Sequence, residues 1–138
     1  MKKLDTIQKE NRINDVFAVD GPGPGGAYHE YSVCVAGEVF IDGVDNVLST
    51  EPNYAKENPF LCDINFQCGP RNENGSVPGV LDSDLLEIVR DRLSAFQDGP
   101  FACGENAEAL RHVEAALNHL DLRQRKSSER GVLGTYQS

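Results

Sequence analysis

Two stretches with helical periodicity flank the turn Phe96-Gln97-Asp98-Gly99-Pro100-Phe101-Ala102-Cys103, and this arrangement limits the fold more than any other feature of the chain. In the first stretch Leu85, Leu86, Val89, Leu93 and Phe96 recur at spacings of three and four, the stripe of an amphipathic helix. Asp82 or Ser83 can cap its start, and Asp84 and Glu87 suit the positive first turn. Gly99 is free to take a left-handed cap, and Pro100 cannot continue the helix. The second stretch runs from about Gly104 to about Ser128, with Leu110, Val113, Leu117 and Leu120 on one face. A connection this short makes the two helices antiparallel neighbours. At 1.5 Å per residue they are roughly 22 Å and roughly 36 Å long, so the second overhangs the first from near His119.

Upstream the pattern changes. Residues up to Val19 mix Leu4, Ile7, Ile13, Val16 and Phe17 with charges and fit a helix weakly, which leaves a short helix or an arm. Gly21-Pro22-Gly23-Pro24-Gly25-Gly26 interrupts regular structure. It lacks the lysine and the following helix of a phosphate-binding loop and reads as a linker. Tyr28 to Val35 and Glu38 to Ile41 are strand-like, with Ala36-Gly37 as a turn. Turn formers at Asp42-Gly43 and Asp45-Asn46 lead into a surface loop from Ser49 to Pro59. Phe60 to Cys68 alternates strictly, a strand with one buried face, and Gly69 to Gly79 is a long loop. The expected fold is α+β, a small antiparallel β-sheet followed by a long C-terminal antiparallel helical hairpin. Residues 1–27 would form an arm and Gly/Pro linker, and 28–138 a single domain with the sheet at 28–70 and the hairpin at 82–130.

A chain of 138 residues with 39% apolar content has room for one small domain. No apolar run approaches the roughly 18 residues of a membrane span. The opening Met1-Lys2-Lys3-Leu4-Asp5 lacks an apolar signal region, so the expected location is the cytosol. The formal net charge of -9 argues against nucleic-acid or anionic-membrane partners. A small anionic ligand held by a few local arginines is still allowed, because distant exposed charges are screened. Cys34, Cys62, Cys68 and Cys103 form no C-x-x-C pair and read as buried free thiols.

Extending the second helix's stripe by its own spacing places Asn106 one turn before Leu110 and Arg123 one turn after Leu120. A buried arginine is costly unless paired, so Arg123 calls for an acidic partner, an overhang into solvent or an anionic ligand. Arg123, Gln124, Arg125, Lys126 and Arg130 lie on the overhang, near the arrival of the loop that carries Arg71. Guanidinium forks converging from two segments would clamp a pyrophosphate, whereas a basic helix end can also serve only the macrodipole. At the other end Phe96 lies beside Asn106 across the turn, where an aromatic face and an amide can stack on and read a base. Burial statistics favour Phe96 as a core residue over this role. The two ends are nearly 30 Å apart, so one small ligand touching both requires a second chain and a two-fold pair of sites. His29, His112 and His119 are scattered, Asp82, Asp84 and Glu87 are explained by helix capping, and no nucleophile, base and orienter combine. Neither a metal nor a cofactor is expected, and the expected activity is binding rather than turnover.

The runs Ile64-Asn65-Phe66-Gln67-Cys68-Gly69-Pro70, Asp84 to Leu93, Phe96 to Cys103, Glu105-Asn106 and Arg130-Gly131-Val132-Leu133-Gly134-Thr135 occur here in one order. In this they resemble the first type of Thoeris anti-defence protein of phages, whose helical hairpin is shared with the second type of anti-CBASS protein. The resemblance covers Phe60 to the end. It implies a sponge that sequesters glyco-cyclic ADP-ribose, the signal made by a bacterial TIR-domain sensor, without cleaving it. It also implies a sheet followed by a helical pair, assembled as a homodimer with two pockets or as a hexamer of dimers that also holds cyclic oligonucleotides. By position, the stacking aromatic falls on Phe96, the amide on Asn106 and the phosphate-binding arginine on Arg123, with Arg71 a second cationic contact. Gln124 stands where threonine is usual and Leu133 where glutamate is usual, which puts ligand choice at Gln124 in question. The alternatives are sequestration of cyclic di- or trinucleotides through Arg71 and Arg90 to inhibit CBASS, a hydrolase of the same signal, and a structural or adaptor phage protein whose hairpin only dimerises.

Overall fold

The structure, a computed structural model, describes residues 2–10, 12–36, 40–41, 48–49 and 60–129. Strands β1 (Lys2–Lys3), β2 (Asn14–Ala18), β3 (Glu30–Val35) and β6 (Phe60–Asn65) form an antiparallel sheet in the order β1-β2-β3-β6. Strands β4 (Phe40–Ile41) and β5 (Leu48–Ser49) pair as a separate ribbon. Helices α1 (Asp82–Gln97) and α2 (Gly104–Glu129) follow, so the fold is the expected α+β arrangement of an antiparallel sheet and a C-terminal helical hairpin. The chain divides into two compact units, 1–65 and 66–138.

In the first unit the segment read as a short helix or an arm supplies β1 and β2 instead. Val16 sits opposite Val33 and Phe17 opposite Ser32, and branched and aromatic residues favour such a pairing. Ala18, Cys34 and Val35 are buried there, as are the polar Asp15 and Ser32. A buried carboxylate needs charged partners, and Asp15 has Arg12 at 2.7 Å and Lys3 at 3.5 Å. The Ser32 hydroxyl donates to Asp63 at 2.5 Å and ties β3 to β6.

The Gly/Pro run connects two paired strands. Gly26 donates to Gly23 at 2.9 Å, and Gly25 and Gly26 take φ of 80° and 85°, a region glycine enters without penalty. The Asp20 carboxylate accepts from the backbone N–H groups of His29 and Glu30, each at 3.1 Å. Desolvation pushes this carboxyl up, but the donors of Glu30 and His29 outweigh it and hold it below the usual carboxylate range.

β6 is shorter than the expected strand and less covered. It ends at Asn65, and only isolated bridges continue, Phe66 with Val80 and Cys68 with Val77. Phe60 and Cys62 are exposed rather than buried, since alternation fixes the direction of side chains but not what covers them. The thiols differ from expectation for the same reason. Cys34 is buried, Cys68 half-buried, and Cys62 and Cys103 exposed, all of them free. The turn at 42–46, the loop residues 50–59, Arg130 and Leu133 lie outside the described residues.

Candidate functional site

The second unit begins with a clasp. The Gln67 side chain accepts from Arg71 at 3.0 Å and from the Gly79 N–H at 3.3 Å, while Arg71 also donates to the Gly79 carbonyl at 3.3 Å. Gln67 N–H donates to Val80 at 2.9 Å, so the loop closes immediately ahead of α1. The helix is capped differently from expectation. Leu81 occupies the N-cap position and has no side-chain acceptor, so the stabilising contact comes from the third helical residue, whose Asp84 carboxylate accepts the Leu81 N–H at 2.8 Å.

The helices run beside one another with Leu85, Leu86, Leu93, Phe96, Leu110, Val113, Leu117 and Leu120 half-buried. Val89, expected on the seam, is exposed along with its neighbour Ile88. Arg90 crosses to Glu114 at 2.9 Å. The hydrogen bond and charge of Glu114, with help from Glu87, raise the Arg90 guanidinium further above its ordinary value.

Phe96 and Asn106 meet at the closed end through Phe101. The Phe96 and Phe101 rings are edge-to-face with centroids 6.2 Å apart, and Asn106 Nδ2 donates to the Phe101 carbonyl at 3.4 Å. The Arg92 guanidinium lies 5.3 Å from the Phe96 centroid, a cation–π contact. Gln97 closes the turn by accepting the Cys103 N–H at 3.1 Å. Gly99 does not take the left-handed cap. Asp98 N–H bonds back to Ser94 at 3.2 Å and Gly99 N–H to Phe96 at 3.2 Å, which satisfies the last carbonyls without a positive φ. Phe101 was not singled out in the sequence, although an aromatic directly after Pro100 in so tight a turn was the signal for it.

At the open end a cavity of about 530 Å³ lies between the start of α1 and the last third of α2. Leu81, Asp82 and Ser83 line it from α1's side, and Leu120, Arg123, Gln124 and Ser127 from α2's. Small-molecule sites commonly occupy about 300–1,000 Å³. Ser127 is buried among otherwise exposed neighbours. Of the charged groups on this wall, Asp121 pairs with Arg125 at 3.0 Å and Glu87 faces Arg90 at 3.7 Å. The side chains of Arg123 and Gln124 make no hydrogen bond or ion pair among the described residues. By contrast Lys3, Arg12, Arg90, Arg111 and Arg125 each face a carboxylate.

Arg123 and Gln124 are thus brought together, and Phe96 and Asn106 are brought together at the other end. The 17 residues from Asn106 to Arg123 along one unbroken helix span roughly 25 Å. Arg71 does not line the cavity, but its hold on Gly79 anchors it two residues before Leu81, which does. Among the described residues no group of His, Cys, Asp or Glu could hold a metal ion, and no helix is long and apolar enough to cross a membrane.

The sequence of the chain has known relatives. The model of the family described as Acb2/Tad1, hairpin domain, matches residues 60–125 and so spans Arg71, Phe96, Asn106, Arg123 and Gln124. The protein called Thoeris anti-defense 1 from Bacillus phage SBSphiJ7 is 36% identical over 118 residues, covering 80% of each chain. The chain belongs to the Thoeris anti-defense 1 family.

Proposed function

We propose that this chain is a phage-encoded sponge that binds glyco-cyclic ADP-ribose in the host cytosol, holds it without cleaving it, and so inhibits Thoeris defence. Arg123 carries this reading, a guanidinium whose side chain has no partner among the described residues, in a cavity beside the positive N-terminus of α1, whereas Arg90 and Arg125 nearby each face a carboxylate. Arg123, Gln124 and Arg71 take the phosphates, while Phe96 and Asn106 take the adenine.

These two groups lie at opposite ends of α2, so a complete pocket needs two copies of the chain. The apolar side chains left open on the hairpin, Ile88, Val89, Phe101 and Leu122, supply surface for a second copy to cover. Besides the Arg123 guanidinium the cavity is lined by amides, hydroxyls and the carboxylates of Asp82, Glu87 and Asp121, of which Glu87 faces Arg90 and Asp121 pairs with Arg125.

Calorimetry with the pure signal, followed by heating and chromatography of what is released, tests the proposal. Binding near the nanomolar range, about -12 kcal/mol, with intact signal recovered is the expected result. No heat at micromolar protein contradicts the specific ligand, and recovery of a degraded signal contradicts the sponge. The reading in which cyclic di- or trinucleotides are the ligands draws on Arg71, whose described partners are all neutral and leave its charge unspent. In that case Arg123→Ala leaves binding intact.

A further inference from the structure

A second hollow, of about 260 Å³, lies on the other side of Arg123. Among the described residues it is lined by His119, Leu122, Arg123 and Lys126, all from α2. Spacings of three and four put these residues on one helix face. His119, Arg123 and Lys126 share a second property: none of their side chains makes a hydrogen bond or ion pair among the described residues. The neighbouring Arg125, which a reading of the sequence groups with Arg123 and Lys126, is engaged by Asp121 at 3.0 Å. The basic end of α2 is therefore divided between one neutralised arginine and a stripe of unused donors.

We propose that His119, Arg123 and Lys126 form a phosphate-binding face, with Arg123 shared between it and the larger cavity and with His119 and Lys126 holding the second phosphate of a pyrophosphate-bearing nucleotide. The inference rests on the sponge reading for the identity of that nucleotide. The chemistry is that of the donors. Lys126 supplies a mobile ammonium, His119 a ring N–H in either tautomer, and Arg123 a planar fork that can reach oxygens of two phosphates at once. Leu122 provides an apolar floor between the donors that leaves no competing acceptor at the centre of the stripe. Such a face restricts the ligand class to anions with adjacent phosphates and explains why a single arginine need not neutralise a pyrophosphate alone.

The test uses the full chain and the double variant His119→Gln/Lys126→Gln, whose glutamines keep length and helix propensity. Arg111→Gln, which removes a cation already committed to Glu108 at 2.9 Å, is the control. In calorimetry with glyco-cyclic ADP-ribose the double variant should lose roughly tenfold or more in affinity, given charge-assisted bonds reduced by exposure, with an unchanged melting temperature and little effect in the control. Independently, inorganic pyrophosphate added to the wild type should shift the His119 imidazole resonances, and not those of His112. Unchanged affinity in the double variant, alongside a loss in Arg123→Gln, overturns the phosphate face and leaves the sponge reading standing. A His119 response to pyrophosphate in a protein that ignores the nucleotide upholds the face and sinks the sponge reading. Neither signal removes both.

Discussion

In the proposed site Arg123 is the residue on which binding would turn, and its surroundings say what its removal should do. It is exposed and makes no contact that supports the fold, so Arg123→Ala should change stability by less than about 0.5 kcal/mol. It should weaken ligand binding by roughly ten- to a hundredfold. Paired thermal melts and calorimetry check the split, and a loss of stability matching the loss of binding would assign Arg123 a structural role. The cysteines allow a second residue-level prediction. Burial, and then the negative charges of Asp63 and Asp15, push the Cys34 thiol up. A thiol reagent should therefore modify Cys62 and Cys103 in the native protein and reach Cys34 only after unfolding, as mass spectrometry of partly labelled chains would record.

The elements differ in how they hold together. α1 depends at its start on the Asp84 carboxylate, so Asp84→Ala should cost about 1 kcal/mol in denaturant unfolding. The connection between β2 and β3 depends on Asp20, whose folded value is depressed. Its contribution is present above the unfolded value, near 3.9, and is lost as pH falls through the lower folded value. The difference in stability between wild type and Asp20→Asn should thus stay flat from about pH 8 to pH 5 and shrink in acid below about pH 4. A difference that widens in acid would contradict this assignment. The helices were legible in the sequence because their signal is local: stripes at spacings of three and four, with acidic residues at one end and Gly-Pro at the other. β1 and β2 were not, because a strand of two residues acquires its identity only from β2, and one reading Asn-Asp-Val-Phe-Ala only from β3, each more than ten residues away. The grip of Gln67 on Arg71 was equally invisible, since nothing in the spacing of a glutamine and an arginine specifies a shared contact with Gly79. The candidate site was read from stripe geometry and from the order of the family's motifs. That put Arg123 and Asn106 among the candidates but not Phe101, which touches Phe96 and Asn106 and lies on the turn rather than on either stripe.

At the scale of the whole molecule, the length of α2 sets the architecture of the proposed pocket. A rigid helix holds Asn106 and Arg123 roughly 25 Å apart, so the proposed pocket combines Phe96 and Asn106 of one copy with Arg123 of another. Two-fold symmetry makes this testable by complementation. Phe96→Ala and Arg123→Ala chains, each deficient alone, should recover binding when co-expressed, because one of the two pockets in every mixed dimer then keeps both native residues. Random pairing predicts that roughly a quarter of all pockets bind at wild-type affinity, read as calorimetric stoichiometry with glyco-cyclic ADP-ribose. Co-expressed chains that bind no better than either variant alone would contradict the intersubunit pocket.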